Sequence, residues 1–132
     1  MAAIIDHGNG TVTDPRTGLQ WEQCPDGTYY IWVDAMTLGV AAVNAVALGG
    51  HTDWRMPTIQ ELTTLVDTAR PAPRIDPLLS TAPRLYWSAT IDTTIPTDAW
   101  AVDFADGLAT NDNDQHAYCL VRMVRNLAGI GA

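Results

Sequence analysis

Four aspartates late in the chain, Asp103, Asp106, Asp112 and Asp114, have the most obvious chemical potential. Clustered carboxylates are the hard oxygen ligands that calcium takes, and a solvated polar turn is the commoner reason for such a cluster. Other chemistry is harder to assemble. His7, His51 and His116 are scattered and follow no zinc-ligand spacing. Ser88, in "YWSAT", has no G-x-S-x-G elbow and no nameable His/Asp partners. Cys24 and Cys119 make no C-x-x-C motif. Two readings of them stand side by side: one bridge between the early and late chain, or two buried free thiols. No catalytic constellation emerges, so the expectation is a non-enzymatic protein without a cofactor, calcium being the one ion to consider.

Contact chemistry is better supplied. Tyr29 and Tyr30 are adjacent in a loop, and two neighbouring tyrosines rarely both point inward, so at least one should be exposed. Asn111, Asp112, Asn113 and Asp114 form a second polar group. Tyrosine, asparagine and other short polar side chains on loops suit an adaptable contact surface. Two late stretches, "DTTIPTD" (92–98) and "DGLATNDND" (106–114), contribute no apolar stripe and read as unconstrained loops. Ordinary hairpin loops would look the same.

The elements that must position these residues follow from periodicity. "GNGTVTDPRTGLQWEQ" reads as a hairpin, with Val12 before the Asp14–Gly18 turn and Leu19 and Trp21 after it. Residues 32–48 read as a helix whose buried stripe is Ala35, Leu38, Ala42, Val43 and Val46, ended by Gly49-Gly50 and weakened at Gly39. "PTIQELTTLVDTA" opens on a capping box, Thr58 with Glu61, and buries Ile59, Leu62, Leu65 and Val66. A proline-rich irregular loop, 70–84, precedes strand-like runs at 85–90, 99–107 and 116–125, with the polar turn 111–114 before the last. In the middle run Trp100, Val102 and Phe104 share one face, and Ala99, Ala101 and Asp103 the other. Helices and strands are segregated, which makes the fold α+β in a single domain, 1–132.

Composition narrows the partners. The 132 residues are 47% hydrophobic and 17% charged, so the chain is neither disordered nor membrane-spanning. Every basic residue is arginine, and the net charge of −8 disfavours nucleic acid and other polyanions. Neutral glycans and proteins remain as partners. The opening "MAAIIDHGNG" has no basic n-region or cleavage site, so no signal peptide is expected within it. No heptads are present to drive oligomerisation.

The blocks "GNGTVTDPRTGLQW", "LGGHTDWRMPTIQEL", "IDP", "YWSAT", "AWAVDFADG" and "LVRMVR", in this order, resemble the Lcl C-terminal domain family. The family is named from a collagen-like adhesin, and the resemblance runs from about Gly8 to Arg125. It implies a C-type-lectin-like fold, with paired N- and C-terminal strands, two helices flanking small antiparallel sheets, and late loops forming the binding face. It further implies a ligand-binding or adhesion domain at a cell or virion surface, phage included, often displayed as a homo-oligomer. A structural decoration or fibre-tip protein is the alternative, and an enzyme akin to the formylglycine-generating oxidases the third. Two cysteine positions of the family fall here on Val43 and Met123, an apolar pair that could fill the same space. The family's helix-capping threonine falls on Ile31.

Within "GGHTDWRMP", 49–57, the indole and guanidinium side by side read as a structural latch. Trp54 plugs the core beneath the turn, and Arg55 is held in fork geometry by Asp53 or Glu61. Pro57 then aims the chain into the helix capped by Thr58. Trp21, Trp54 and Trp100 fit core positions, whereas Tyr86 and Trp87 fit either core or a flat aromatic patch.

Overall fold

The computed structural model describes residues 3–127. Its first sheet is four-stranded, in the order β1 (Ile5–Asp6), β2 (Thr11–Asp14), β3 (Leu19–Glu22) and β7 (Val124–Asn126). The β2–β3 turn closes on Asp14, whose carbonyl accepts the amides of Thr17 and Gly18 and whose carboxylate takes Arg16. Gly18 supplies the positive φ this turn requires, at 70°. Register then aligns Val12, Trp21 and Val124 across three strands, and all three are buried on one face. The first hairpin and the last strand are therefore neighbours.

The long helix forms, but its buried face is not the expected stripe. It runs as α1 (Trp32–Asp34), a π-helical turn (Ala35–Gly39) and α2 (Val40–Ala45). Ala35 and Gly39 are buried, with Met36, Val40 and Val43 packed on the core, whereas Leu38, Ala42 and Val46 face solvent. The wider turn re-phases the helix, and a run apolar on all sides cannot report its own phase. Gly39 is more than a weak helix former: a Cβ there would meet Met123 Cε at 3.2 Å and the Tyr30 ring at 3.6 Å. Met123 is fully buried and Val43 packs against the same cluster, so the apolar pair does line shared space. Ile31 gives α1 no side-chain cap.

Both halves of the capping box at Thr58 and Glu61 are made, although α3 (Ile59–Thr63) is shorter than expected. Ile59, Leu62 and Leu65 are buried; Val66 is half-buried against them. The proline-rich stretch after it stays irregular and contributes Ile75 and Leu79 to the core.

The second sheet is β4 (Leu85–Ile91), β5 (Asp98–Asp103) and β6 (Leu108–Asp114) in sequential order. Here the expectations change twice. Residues 108–114 are an edge strand rather than a polar turn, because they continue the β5 ladder through an irregularity between Ala99 and Ala101. Conversely, 116–125 is not one strand. Cys119 and Leu120 make single bridges to Tyr30 and Tyr86, and only Val124–Asn126 is regular strand. Both faces of β5 are covered: Val102 and Phe104 join one cluster with Trp21 and Leu62, and Ala99 and Ala101 join the other with Trp54 and Trp87. Trp100, expected in the core, is only half-buried against the first cluster. The result is a mixed α and β fold of two antiparallel sheets and few, short helices.

Candidate functional site

The 49–57 stretch is held chiefly through Asp53, Trp54, Arg55 and Pro57. Trp54 is buried, and its indole N–H donates to the Leu48 carbonyl at 3.0 Å, while Asn44 bonds both the amide and the carbonyl of Trp54. Arg55 forks onto Glu61 at 2.7 and 2.8 Å, reaches Asn126 at 2.7 Å, and pairs its backbone with Val124. The Arg55 guanidinium beside Glu61 holds that carboxyl below its ordinary value. Asp53, the other expected partner of Arg55, instead takes the buried Arg125 at 2.6 Å, because Arg125 points to the opposite face of β7 from Val124. Pro57 is buried and its carbonyl accepts the Ala89 amide. One short segment thus ties α3, β4 and β7 together, and its residues are spent on architecture.

A second arginine does similar work. Arg122 is fully buried, donating to the carbonyls of Glu22, Gln23 and Ser80 and to the Thr81 hydroxyl. Burial pushes its guanidinium down to about 10. The periodicity of "LVRMVR" hides both arginines among apolar residues, and only the lack of a nearby acidic partner in sequence hints that they bond elsewhere.

The opposite situation holds around Tyr29. A hollow of about 280 Å³ is lined by Tyr29, Pro83, Arg84, Leu85, Asp103 and Tyr118. Tyr29 is 46% exposed and Tyr118 is 70% exposed. The elements explain the meeting. Tyr30 and Cys119 bridge in antiparallel fashion, which brings the two segments together so that Tyr29 and Tyr118 both line the hollow. Leu120 in turn bonds Leu85, which sits opposite Asp103 and, one strand further, Leu108. Neither tyrosine hydroxyl nor the Arg84 guanidinium has a hydrogen-bond partner among the described residues. Asp103 accepts from the Ala105 amide at 2.9 Å and keeps acceptor capacity. Aromatic faces, one free guanidinium and one carboxylate around an open hollow can stack on and hydrogen-bond a polar ligand.

Tyr30, the other half of the expected pair, is turned inward: it packs on the Trp54 cluster, and its carbonyl accepts the Trp87 indole at 2.8 Å. Trp87 is accordingly core and not patch. Nothing in the local sequence singled out Tyr118, Arg84 or Leu85, since their meeting depends on long-range bridges.

The remaining candidates gather at the far end of β6. Asn111, Asp112 and Asp114 are exposed, and the 92–98 loop is bound to them through Gln115, which donates to Thr97, Pro96 and Asp98. Asn113 is not free: its amide nitrogen bridges the Ala99 and Thr110 carbonyls and fastens the irregular register. Asp92 is buried, caps its own turn through Thr94, and so belongs to the framework. The calcium candidates are split, Asp103 and Asp106 at one end of β6 and Asp112 and Asp114 at the other, roughly 20 Å along the strand. Among the described residues no group of three or more His, Cys, Asp or Glu side chains could hold a metal ion.

Both cysteines are free thiols, so of the two readings the bridge falls; yet only Cys119 is buried, while Cys24 is exposed. Burial pushes the Cys119 thiol up to about 11, which keeps it protonated and unreactive. Among the described residues no helix is long and apolar enough to cross a membrane.

Comparison with known proteins supplies one match. The model of the Lcl C-terminal domain family covers residues 10–125. No curated protein matches the chain.

Proposed function

The chain belongs to the Lcl C-terminal domain family, and from that premise we propose that it is a non-enzymatic ligand-binding or adhesion domain at a cell or virion surface, engaging its partner through the Tyr29–Tyr118 hollow. The family's association with surface adhesins gives the setting. The observation that carries the reading is the contrast in hydrogen bonding. The guanidiniums of Arg55, Arg122 and Arg125 each donate to several acceptors, whereas that of Arg84 and the hydroxyls of two exposed tyrosines are left with open valences around one hollow. Exposed tyrosines supply rigid contact area at low entropic cost. Pairing of β3 with β7, and a late sheet that ends in this hollow, support reading the fold as C-type-lectin-like.

Ligand chemistry follows from the lining. Tyrosine rings stack on sugar or peptide faces, Asp103 accepts from hydroxyls or cations, and Arg84 donates to carbonyls. A net charge of −8 keeps polyanions away. Neutral glycans and protein segments are therefore the expected partners. A glycan array combined with capture on cell surfaces tests this: saturable binding is expected, and the Tyr29→Ala/Tyr118→Ala double variant should lose it. Saturable binding untouched by that variant would move the site elsewhere. A protein that bound only virion or appendage components would be a structural piece instead.

A further inference from the structure

An antiparallel sheet with one face on the core commonly turns its other face to water, yet the outer face of the first sheet carries buried polar side chains. Thr13, Gln20 and Arg125 lie opposite one another across β2, β3 and β7, on the face away from Val12, Trp21 and Val124. They form the floor of a hollow of about 450 Å³, a size typical of small-molecule sites, with His7, Asn9, His51 and Leu127 around it. It shares no lining residue with the Tyr29–Tyr118 hollow.

The floor is a joined network with valences left over. Gln20 accepts from Arg125 and donates one amide N–H to Thr11 at 2.9 Å, which leaves its second N–H. Arg125 makes two further contacts, both to Asp53, so two of its five guanidinium N–H groups stay open. The Asn9 side-chain carbonyl is committed to Thr11, but its amide nitrogen has no partner among the described residues, and neither has the His51 ring. His7 uses one ring nitrogen on Thr13. Open donors therefore predominate.

We propose that this hollow binds a neutral sugar bearing an acetamido group, whose carbonyl accepts from the open N–H groups of Gln20 and Arg125. Charge removes the other classes. Asp53 neutralises Arg125, and Asp6 and Asp53 stand beside the two imidazoles, so an anion gains little. A cation would face N–H donors. An amide carbonyl, with two lone pairs, answers converging donors, and sugar hydroxyls answer the imidazole nitrogens and the remaining lone pairs of Asp53. A peptide is the poorer occupant, because Leu127 is the one apolar side chain in the lining to receive its side chains.

Side-chain NMR of the labelled whole chain, titrated with N-acetylglucosamine, glucose and N-acetylalanine methylamide, tests the proposal. N-acetylglucosamine should shift the Asn9 and Gln20 amide and His51 ring signals saturably, with glucose at least about tenfold weaker for want of the carbonyl. Asn9→Asp keeps the acceptor for Thr11 and turns the open donor into a carboxylate oxygen. His51→Ala removes a ring without a partner and serves should Asn9→Asp fold poorly. Each should weaken binding at least about threefold at unchanged melting temperature. The Tyr29→Ala/Tyr118→Ala variant should leave this binding unaltered, which separates it from the tyrosine hollow. Equal affinity for glucose, tighter binding of the peptide amide, no saturable shift with N-acetylglucosamine, or indifference to both variants would each overturn it.

Discussion

The 49–57 latch and the Tyr29–Tyr118 hollow contain the same kinds of side chain, aromatic rings beside arginine and a carboxylate, and use them in opposite ways. In the latch, Trp54 is buried with its N–H bonded, and Arg55 and Glu61 satisfy each other in a two-pronged pair. In the hollow, the rings are exposed and the Arg84 guanidinium has no hydrogen-bond partner among the described residues. Composition alone therefore does not separate the latch from the hollow; how far the polar groups around the rings are paired does. Mutations should divide the same way, and the divide can be tested from its steep side downward.

The steepest effect belongs to Arg122. Replacing it with Ala takes the guanidinium donors from the Glu22, Gln23 and Ser80 carbonyls and the Thr81 hydroxyl, leaving Gln23 with the Ser80 amide, and opens a cavity, which should cost about 3 kcal/mol or more in urea unfolding. A loss below about 1 kcal/mol would mean that water reaches those carbonyls. Next comes the Arg55–Glu61 pair, read through pH. Glu61 titrates below its ordinary value in the folded protein, so the pair's stabilisation is present above the unfolded value of about 4.3 and is lost as pH falls through the lower folded value. Glu22 works against this, since burial raises its carboxyl and its protonation relieves a cost as pH falls. The stability of Glu61→Gln should therefore fall less steeply than wild type between about pH 5 and pH 2. Equal slopes would sink the pair as a stabilising element.

A smaller effect sharpens the boundary on β6. Asn113→Ser should lower stability by about 1 kcal/mol, because the amide that fastens the Ala99 and Thr110 carbonyls is removed. Asp112→Ser, exposed on the edge strand, should stay within about 0.5 kcal/mol. Thermal melts of the two variants give the comparison, and identical shifts would mean that the irregular register does not depend on Asn113.

How much of this was legible in the sequence depends on the range of the interaction. The hairpin turn at Asp14–Gly18 and the box at Thr58–Glu61 close within a few residues, so local chemistry specifies them. The latch was legible as a latch, but the partner of Asp53 was not, because Arg125 lies far along the chain. The phase of the long helix failed for a different reason: with apolar residues on every side and a π-helical turn in the middle, the 3.6 period carried no information about which face is buried. The β6 edge strand was hidden by Asn and Asp, which are depleted in strands and here are accommodated by exposure and an irregular register. Of the contact residues, Tyr29 was visible as one of an adjacent pair, whereas Tyr118 enters the hollow only through the Tyr30–Cys119 bridge.

On the proposed function, the hollow and not the latch is where the molecule meets its partner. Binding isotherms on target cell surfaces and thermal melts, measured on the same samples of Tyr118→Ala, test it most directly. Tyr118 is 70% exposed, so its melting temperature should stay within about 2 °C of wild type, while affinity should fall at least about tenfold, the loss of one well-placed aromatic contact. Unchanged affinity at unchanged stability would contradict the claim.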